Sequence, residues 1–258
     1  MKTPIKNPNS HASTLRELKK IIQTGAVVNS FFFYCGALEF ALSSTDRFII
    51  GHPSNVAVHE FWECLLRDPS LVYEIVISEP FSKLRHERII AFLQEKWIYY
   101  KDPFVRAALF YTLNQFSKNG KVSSGVLDDD PQLFNEWKLN TLKKFKAENF
   151  HLAECLKANN WKSKPRLGRV DYNLYNLGFY QHNLLRGNSS GGIEESQIDH
   201  QEVSDFFHNS CDSPSILLYK KHPQVLKLYA KYNIILIGKR GTQVKNLNDC
   251  EDIIVTNF

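Results

Sequence analysis

The sequence contains no apolar run that approaches the roughly 20 residues needed to cross a bilayer, and its first 20 residues lack the apolar core of a secretory signal. Its five cysteines (Cys35, Cys64, Cys155, Cys211 and Cys250) are odd in number and are never spaced as C-x-x-C. This spacing argues against both a disulfide framework and a zinc knuckle. We therefore expect a reduced intracellular protein, in the cytoplasm or with nucleic acid, that has no membrane partner and no metal site.

A strong excess of charge of one sign is also missing. The 32 Lys and Arg residues against 27 Asp and Glu residues give a formal net charge of +5, which permits a polyanionic partner but does not establish one. The chain of 258 residues is 43% hydrophobic and holds 18 Phe, 11 Tyr and 4 Trp, so it can fill a large core. Its length fits one large domain, or one domain with a sizeable insertion.

The first third of the chain alternates helix and strand signals. Apolar residues at helical spacing follow Ser13 and Thr14, and an aromatic run at 31–34 ends at Gly36. A helix is predicted over 38–42 and a second strand over 47–50. This order of strand, turn, helix and strand is typical of a parallel, doubly wound α/β sheet.

The middle of the chain has the apolar spacing of helices, and the last third returns to α/β. Helices are predicted over 59–66, 84–97, 102–116, 134–145 and 150–159. Later strands are predicted over 171–175, 216–219, 233–237 and 252–257, the last two antiparallel, with helices over 194–208 and 224–231. We therefore predict a discontinuous α/β domain, 1–57 and 165–258, and a mainly helical insertion, 58–164.

One turn offers a ligand site on local pattern alone. Cys35-Gly36-Ala37 lies between a predicted strand and a predicted helix, where a nucleotide phosphate or an adenosyl group can dock. A plain tight turn explains the same residues, because the G-x-G-x-x-G pattern is absent. Both interpretations stay open at this point.

Two other groups of residues invite a chemical interpretation. The aspartates at 128–130 precede a proline and indicate a solvated loop rather than a divalent metal site. Asp199 and His200, with Ser210 or Cys211, form a nominal base and nucleophile set. Asp199 and His200 fall on a predicted surface helix, however, so we do not expect catalysis there.

Lysines and aromatic residues alternate between 137 and 169. Lys143, Lys144, Lys162 and Arg166, with Lys121 before them, are candidate DNA-binding residues, because cations contact phosphates and aromatic rings stack on bases. A solvated helix face over core aromatic residues explains the same composition.

Several segments, in order, resemble the Dam-like class of adenine-specific DNA methyltransferases, whose catalytic tetrapeptide is DPPY. FFFYCGALEFAL is similar to that family's glycine loop, AALFYTLNQFSKNG to its LN…FNG stretch, and LYAKYNIILIGKRG…EDIIVTN to its closing strands. The resemblance spans nearly the whole chain in short stretches. It implies an α/β fold, the Rossmann-like fold of S-adenosylmethionine-dependent methyltransferases, with a helical insertion that resembles a DNA-recognition domain.

The positions that hold the methyl donor in that family are altered in this chain. The resemblance places Asn9 and His11 at the family's Gly and Lys, Phe32 at an acidic residue, and His52 at the Asp that binds the ribose hydroxyls; Gly36 is kept. A charge-assisted hydrogen bond is worth roughly 1.5–3 kcal/mol, so several such losses weaken donor affinity by orders of magnitude. We therefore expect these pocket positions not to bind the donor.

The catalytic tetrapeptide is altered as well. Asn176, Leu177, Gly178 and Phe179 stand in its four positions, so the Asp and both prolines are missing. Asn176 can still accept a hydrogen bond, and Phe179 can still stack on a flipped base. An amide is nonetheless a weaker partner than a carboxylate for developing positive charge, and the loss of both prolines removes a fixed backbone geometry.

The sequence therefore predicts a catalytically degenerate homologue of DNA adenine methyltransferases that holds no cofactor. Its function would be to bind DNA through the insertion, or to bind a protein partner such as an active methyltransferase subunit. Two alternatives stay open. One is a divergent, active DNA adenine methyltransferase that uses S-adenosylmethionine, with Asn176 and Phe179 as its catalytic residues. The other is a structural or assembly protein that binds no nucleic acid.

Overall fold

The computed structural model describes residues 3–6, 10–79, 81, 86–93, 96–120, 122, 127, 136–156, 160–162, 170–178, 180, 198–209 and 213–258. Within these ranges the helices are α1 (Leu15–Ile21), α2 (Ala37–Ser43), α3 (Val56–Arg67), α4 (Pro69–Ile77), α5 (His86–Leu93), α6 (Pro103–Phe116), α7 (Glu136–Lys143), α8 (His200–Asn209) and α9 (Pro223–Leu228). The strands are β1 (Val27–Phe33), β2 (Phe48–Pro53), β3 (Phe150–Leu152), β4 (Tyr172–Gly178), β5 (Ser215–Lys220), β6 (Asn233–Gly238) and β7 (Cys250–Thr256).

The strands form one sheet in the order β3-β2-β1-β4-β5-β7-β6. Strands β1 to β5 pair in parallel, whereas β7 runs antiparallel to both of its neighbours, β5 and β6. Strand β5 is buried along its whole length, as expected of a central strand that is covered on both faces. This strand order with a reversed β7 confirms the predicted fold class, a Rossmann-like methyltransferase fold, and α3 to α7 are inserted between β2 and β3.

Helices cover both faces of the sheet. On one face, apolar residues of α1 and α2 pack against the strands; the buried set includes Leu18, Ile22, Leu38, Leu42, Val28 and Leu174. On the other face, α8 and α9 pack against the strands through a set that includes Val203, Phe207, Val225, Leu217 and Val255. The sheet therefore has no face that is left to solvent along its centre.

Local start signals explain where the inserted helices begin. The side chain of Asn55 accepts hydrogen bonds from the first turn of α3, and Asp68 and Asp102 do the same for α4 and α6. Pro69 and Pro103 follow these two aspartates at the first helical position, where a proline costs no hydrogen bond.

Helix α6 is the centre of the insertion and is buried from Ala107 to Phe116. Its neighbours α3 and α4 pack on it, and Phe61 and Trp62 of α3 lie in the same core. That core also contains Phe33 of β1 and Phe40 of α2. The inserted helices and the sheet therefore share one continuous hydrophobic core.

One predicted helix is wrong. The segment expected to be helical over 150–159 begins with strand β3, in which Phe150 pairs with Ile49 and Leu152 pairs with Gly51 of β2. The backbone of β2 offers an open edge there, and pairing with it outweighs a local pattern of only a few residues. A segment inside the predicted insertion 58–164 thus belongs to the sheet.

Within the described ranges, no helix is both long and apolar enough to cross a membrane. In the same ranges, no three His, Cys, Asp or Glu side chains come together as a metal site requires. Four cysteines are present as thiols: Cys35, Cys64, Cys155 and Cys250. The aspartates at 128–130, Ser210 and Cys211 lie outside the described residues.

Candidate functional site

In open α/β sheets, ligands bind beyond the carboxyl ends of the parallel strands. Here β1, β2, β4 and β5 end at Phe33, Pro53, Gly178 and Lys220, all on one edge of the sheet. Four of the residues predicted from the sequence, Phe32, Gly36, His52 and Asn176, come from these ends. The structure therefore brings them to one edge, whereas Asn9 and Phe179 lie outside the described residues.

His52 lies near the end of β2 and is buried, with 6% of its surface exposed. Its Nε2 is 3.2 Å from Oδ1 of Asn29, and the amide of Asn29 donates in turn to Asn173 at 3.3 Å. Burial, and then repulsion from His151, lowers the pKa of His52 to about 4. The imidazole is therefore neutral at pH 7 and its Nε2 is engaged within the sheet.

The ring of His52 also belongs to an aromatic stack. Phe31 lies between His52 and Tyr175, with ring centroids 4.8 Å and 4.9 Å apart and planes within 16° of parallel. Trp161 meets Tyr175 edge-on at 6.3 Å. Stacked rings fill this part of the sheet with apolar surface instead of hydrogen-bond acceptors.

Phe32 has a left-handed backbone conformation, with φ of 59°, at a break in the pairing register between Phe31 and Phe33. Its side chain is 8% exposed, and its ring lies 6.0 Å from that of Trp161. A left-handed phenylalanine costs free energy, which the packing on Trp161 offsets. The position at which the family has an acidic residue is thus part of a hydrophobic cluster.

Gly36 precedes α2 and has φ of +68°. A Cβ at this position would lie 2.1 Å from Cε2 of Phe40, a contact that no side chain tolerates. The glycine is therefore required by the close approach of the Phe40 ring. This observation supports the tight-turn interpretation of 35–37, because packing within the chain accounts for the glycine.

The side-chain amide of Asn176 faces Glu39 of α2 and favours the ionised form of that carboxyl group. Ser30 of β1 donates to the same carboxyl group at 2.8 Å. Burial raises the pKa of Glu39, and these two donors together with the amides of Leu38 and Glu39 oppose the rise. Asn176 thus joins the end of β4 to the first turn of α2.

A second polar cluster lies at the same edge, beside β5 and β7. Nδ1 of His11 is 2.8 Å from Oδ1 of Asp252, and Lys220 also lies 2.8 Å from Asp252. Ser13 donates to the other oxygen of Asp252, and Lys220 donates to the carbonyl of Ser10 at 3.0 Å. Sequence reasoning identified His11 but missed Asp252 and Lys220, since no local pattern links residues 241 and 209 positions away.

The candidate DNA-binding lysines fall on separate elements. Lys143, at the end of α7, is exposed and lies 4.8 Å from the ring centroid of Tyr73, and Lys144 beside it is exposed as well. Lys162 forms an ion pair with Glu202 of α8, which reduces its availability to a phosphate. Lys121 and Arg166 lie outside the described residues.

A cleft of about 340 Å³ lies at the opposite, amino edge of the sheet. Its lining comes from the segments that enter β1 and β4 and includes Thr24, Gly25, Ala26, Asp171 and Pro214. The carboxylate of Asp171 accepts a hydrogen bond from the amide of Val27 at 2.9 Å. The cleft is therefore remote from the carboxyl edge and holds none of the predicted site residues.

Two described side chains at the carboxyl edge bear on the fit of S-adenosylmethionine. The end of β2 carries the neutral His52 where a carboxylate would accept from the ribose hydroxyls, and that histidine is bonded to Asn29. The carboxyl group of Glu39 faces Ser30 and Asn176, so it does not supply the missing anion.

No protein-family model and no curated protein matches this sequence. Among solved structures, the chain is similar to a TehB-like SAM-dependent methyltransferase from Corynebacterium glutamicum, with 7% sequence identity and a TM-score of 0.38. The match covers 96% of this chain and 88% of that chain. The assignment of the fold class rests on the strand order and on the reversed β7.

Proposed function

We propose that this chain is a methyltransferase-like protein that has lost methyl transfer and acts by binding a macromolecule. The observation that carries the proposal is the state of His52. It is buried and neutral, stacks on Phe31, and is bonded to Asn29 at the position where a donor-binding fold needs an anionic acceptor. Phe32 supports the proposal, because its ring packs on Trp161 where the family has an acidic side chain.

Isothermal titration of the full chain with S-adenosylmethionine and with S-adenosylhomocysteine tests the loss of donor binding. We expect no binding at ligand concentrations up to about 1 mM, which corresponds to a binding free energy weaker than about −4 kcal/mol. A competent S-adenosylmethionine-dependent methyltransferase in the same buffer is the positive control. Micromolar affinity of this chain would contradict the proposal.

The variant His52→Asp separates one altered position from the whole pocket. We expect it also to fail to bind, because Phe31 and Tyr175 still stack across the site and Phe32 still lacks a carboxylate. Strong donor binding by His52→Asp alone would mean that a single substitution had inactivated an otherwise complete pocket.

The divergent active enzyme is tested by transfer of a tritiated methyl group to unmethylated DNA. Incorporation that is abolished by Asn176→Ala, in a variant that remains folded, would establish this alternative. We expect no incorporation, because the amide of Asn176 faces the buried carboxyl group of Glu39.

For the partner, we propose DNA bound through the exposed lysines at the end of α7. Lys143 and Lys144 project to solvent, whereas Lys162 is paired with Glu202. A gel-shift assay with a salt series tests this, since contacts to phosphates weaken steeply as salt rises. We expect the double variant Lys143→Glu/Lys144→Glu to abolish the shift.

The matched control is Lys239→Glu/Lys245→Glu, which makes the same change in net charge at two exposed lysines near the turn after β6. It should bind DNA nearly as well as the wild type. Equal loss in both double variants would indicate nonspecific attraction, and no shift of the wild type at low salt would favour a protein partner or a structural role instead.

A further inference from the structure

The N-terminal segment is tied to the rest of the molecule at two places. The first tie joins residues 4–6 to the end of α6. The amide of Lys6 donates to Oδ1 of Asn114 at 2.8 Å, Asn114 donates back to the carbonyl of Lys6 at 3.1 Å, and Gln115 donates to the carbonyl of Pro4 at 3.0 Å. Asn114 also donates to the carbonyl of Gly120, which accepts a hydrogen bond from Tyr34 just beyond β1. This tie therefore lies on the β1 side of the carboxyl edge.

The second tie joins residues 10–13 to β5 and β7. Lys220 donates to the carbonyl of Ser10, and His11 and Ser13 both bond to Asp252. Lys220 and Asp252 are directly paired in the sheet, at the carboxyl end of β5. Because β4 lies between β1 and β5, the two ties stand on either side of the carboxyl end of β4.

His11 is the central group of the second tie and is 1% exposed. Because Asp252 can only accept when ionised, Nδ1 carries the proton and donates it. No described residue offers a hydrogen-bond partner to Nε2. A proton added at Nε2 would therefore place a buried N–H without an acceptor and a buried positive charge at the same position.

The buried charges around His11 balance only while its ring is neutral. The groups that face it are Asp252 of β7 and Lys220 of β5, with Glu251 3.6 Å beyond Lys220. The 3-10 turn Ala12–Thr14 and strand β6 carry no ionisable side chain, and Glu17 of α1 accepts hydrogen bonds from Lys20 and Gln243. Burial lowers the pKa of His11 and outweighs the hydrogen bond to Asp252, which raises it. Asp252 and Lys220 are buried and together neutral, whereas Glu251 is 47% exposed, so a charged imidazole would add an unbalanced positive charge to the buried groups.

We propose that residues 10–14 are an acid-sensitive latch: the neutral ring of His11 holds this segment on β5 and β7, and protonation at Nε2 releases it from these two strands. The proton comes from solvent and returns to it when the latch closes.

Hydrogen–deuterium exchange of the full chain at pH 7.5 and pH 5.5, corrected for intrinsic exchange rates, tests the latch. The amide of Thr14 is the reporter, because it is bonded to the carbonyl of His11 at 2.9 Å. We expect its protection to fall about tenfold between the two pH values, since an imidazole freed from the latch titrates near a pKa of about 6.5. Amides of α6 serve as an internal reference and should keep their protection.

The variant His11→Asn is the matched control, because its amide can donate to Asp252 at the position of Nδ1 but cannot titrate. Its Thr14 protection should be the same at both pH values. Unchanged protection in the wild type, or an equal loss in α6, would overturn the latch even if the variant failed to fold. A tenfold loss that persisted in a folded His11→Asn protein would overturn it as well.

Discussion

The side-chain amide of Asn176 faces the buried carboxyl group of Glu39, which accepts a hydrogen bond from Ser30 at 2.8 Å. The residue that the resemblance aligns with the first position of DPPY therefore links the end of β4 to the first turn of α2. In this chain the amide favours the ionised form of the buried Glu39. A carboxylate at the same position would disfavour that form.

The variant Asn176→Asp, which restores the family's residue, should be destabilised by about 2 kcal/mol at pH 7.5, because it places a second carboxylate beside Glu39. The loss should diminish as the pH falls to 5, where one of the two acids takes up a proton. Urea unfolding at both pH values measures this. The control is Asn173→Asp on the same strand, whose side-chain oxygen already accepts from Asn29; equal losses in the two variants at pH 7.5 would contradict the prediction.

The variant Gly36→Ala should lose about 3 kcal/mol of unfolding free energy, since the new Cβ would meet the Phe40 ring and the backbone is left-handed. Gly25→Ala is a matched control, with φ of +80° and nothing within 4 Å of the added carbon. It should lose only about 1 kcal/mol, the backbone cost alone. Chemical denaturation of both variants measures the difference, and similar losses would show that Phe40 moves aside freely.

Because the pKa of His52 is lowered in the folded protein, the free energy of unfolding should decrease as the pH falls. The unfolded imidazole takes up a proton near a pKa of about 6.5, whereas the folded one does so only at about 4. The contribution of His52 is therefore complete above pH 6.5 and decreases by about 2 kcal/mol between pH 7 and pH 5. The variant His52→Gln keeps a donor for Asn29 but cannot titrate. Its free energy of unfolding should fall by about 2 kcal/mol less than that of the wild type between pH 7 and pH 5. If the free energy of unfolding changed equally with pH in both proteins, the assignment would be refuted.

Arg47 should be the most sensitive arginine for stability. Its guanidinium is 5% exposed and donates to the carbonyls of Lys19, Ile22 and Thr45, which joins the end of α1 to the start of β2. The variant Arg47→Lys loses the several N–H donors of the guanidinium. Its free energy of unfolding should be lower by about 2–3 kcal/mol, because carbonyls at the helix end are left without donors. The exposed Arg16→Lys should stay within about 0.5 kcal/mol in the same thermal or urea unfolding experiment.

Segments in which apolar residues recur at a regular spacing were predicted correctly as helices or strands. The strands around Phe31 and Ile216, and helix α6, were all predicted. An element that is buried on one or both faces has a recognisable pattern of apolar residues in its sequence. Helix α4 was missed, although Asp68 before Pro69 is a helix start signal that could have indicated it. Strand β3 was missed because three residues carry too little pattern, and only the edge of β2 makes them a strand.

The candidate site was less accessible to sequence reasoning. The resemblance brought Gly36, His52 and Asn176 to one edge, yet their partners Phe40, Asn29 and Glu39 follow from packing across strands. The link between His11 and Asp252 joins the two ends of the chain. Such contacts form only when the sheet is assembled, and no short segment of the sequence contains both partners.

The shared core of the sheet and the inserted helices has a consequence for engineering. Phe33 and Phe40 complete the packing around Trp62, with ring centroids 5.6 Å and 5.0 Å from that indole. A truncated chain that joined β2 directly to β3 would expose the sides of both phenylalanines that pack on Trp62, and the excised helices would expose the other half of the same interface. Recombination of these helices with another protein of this class would therefore need a recipient with aromatic residues at both positions, so the insertion is not a freely exchangeable cassette.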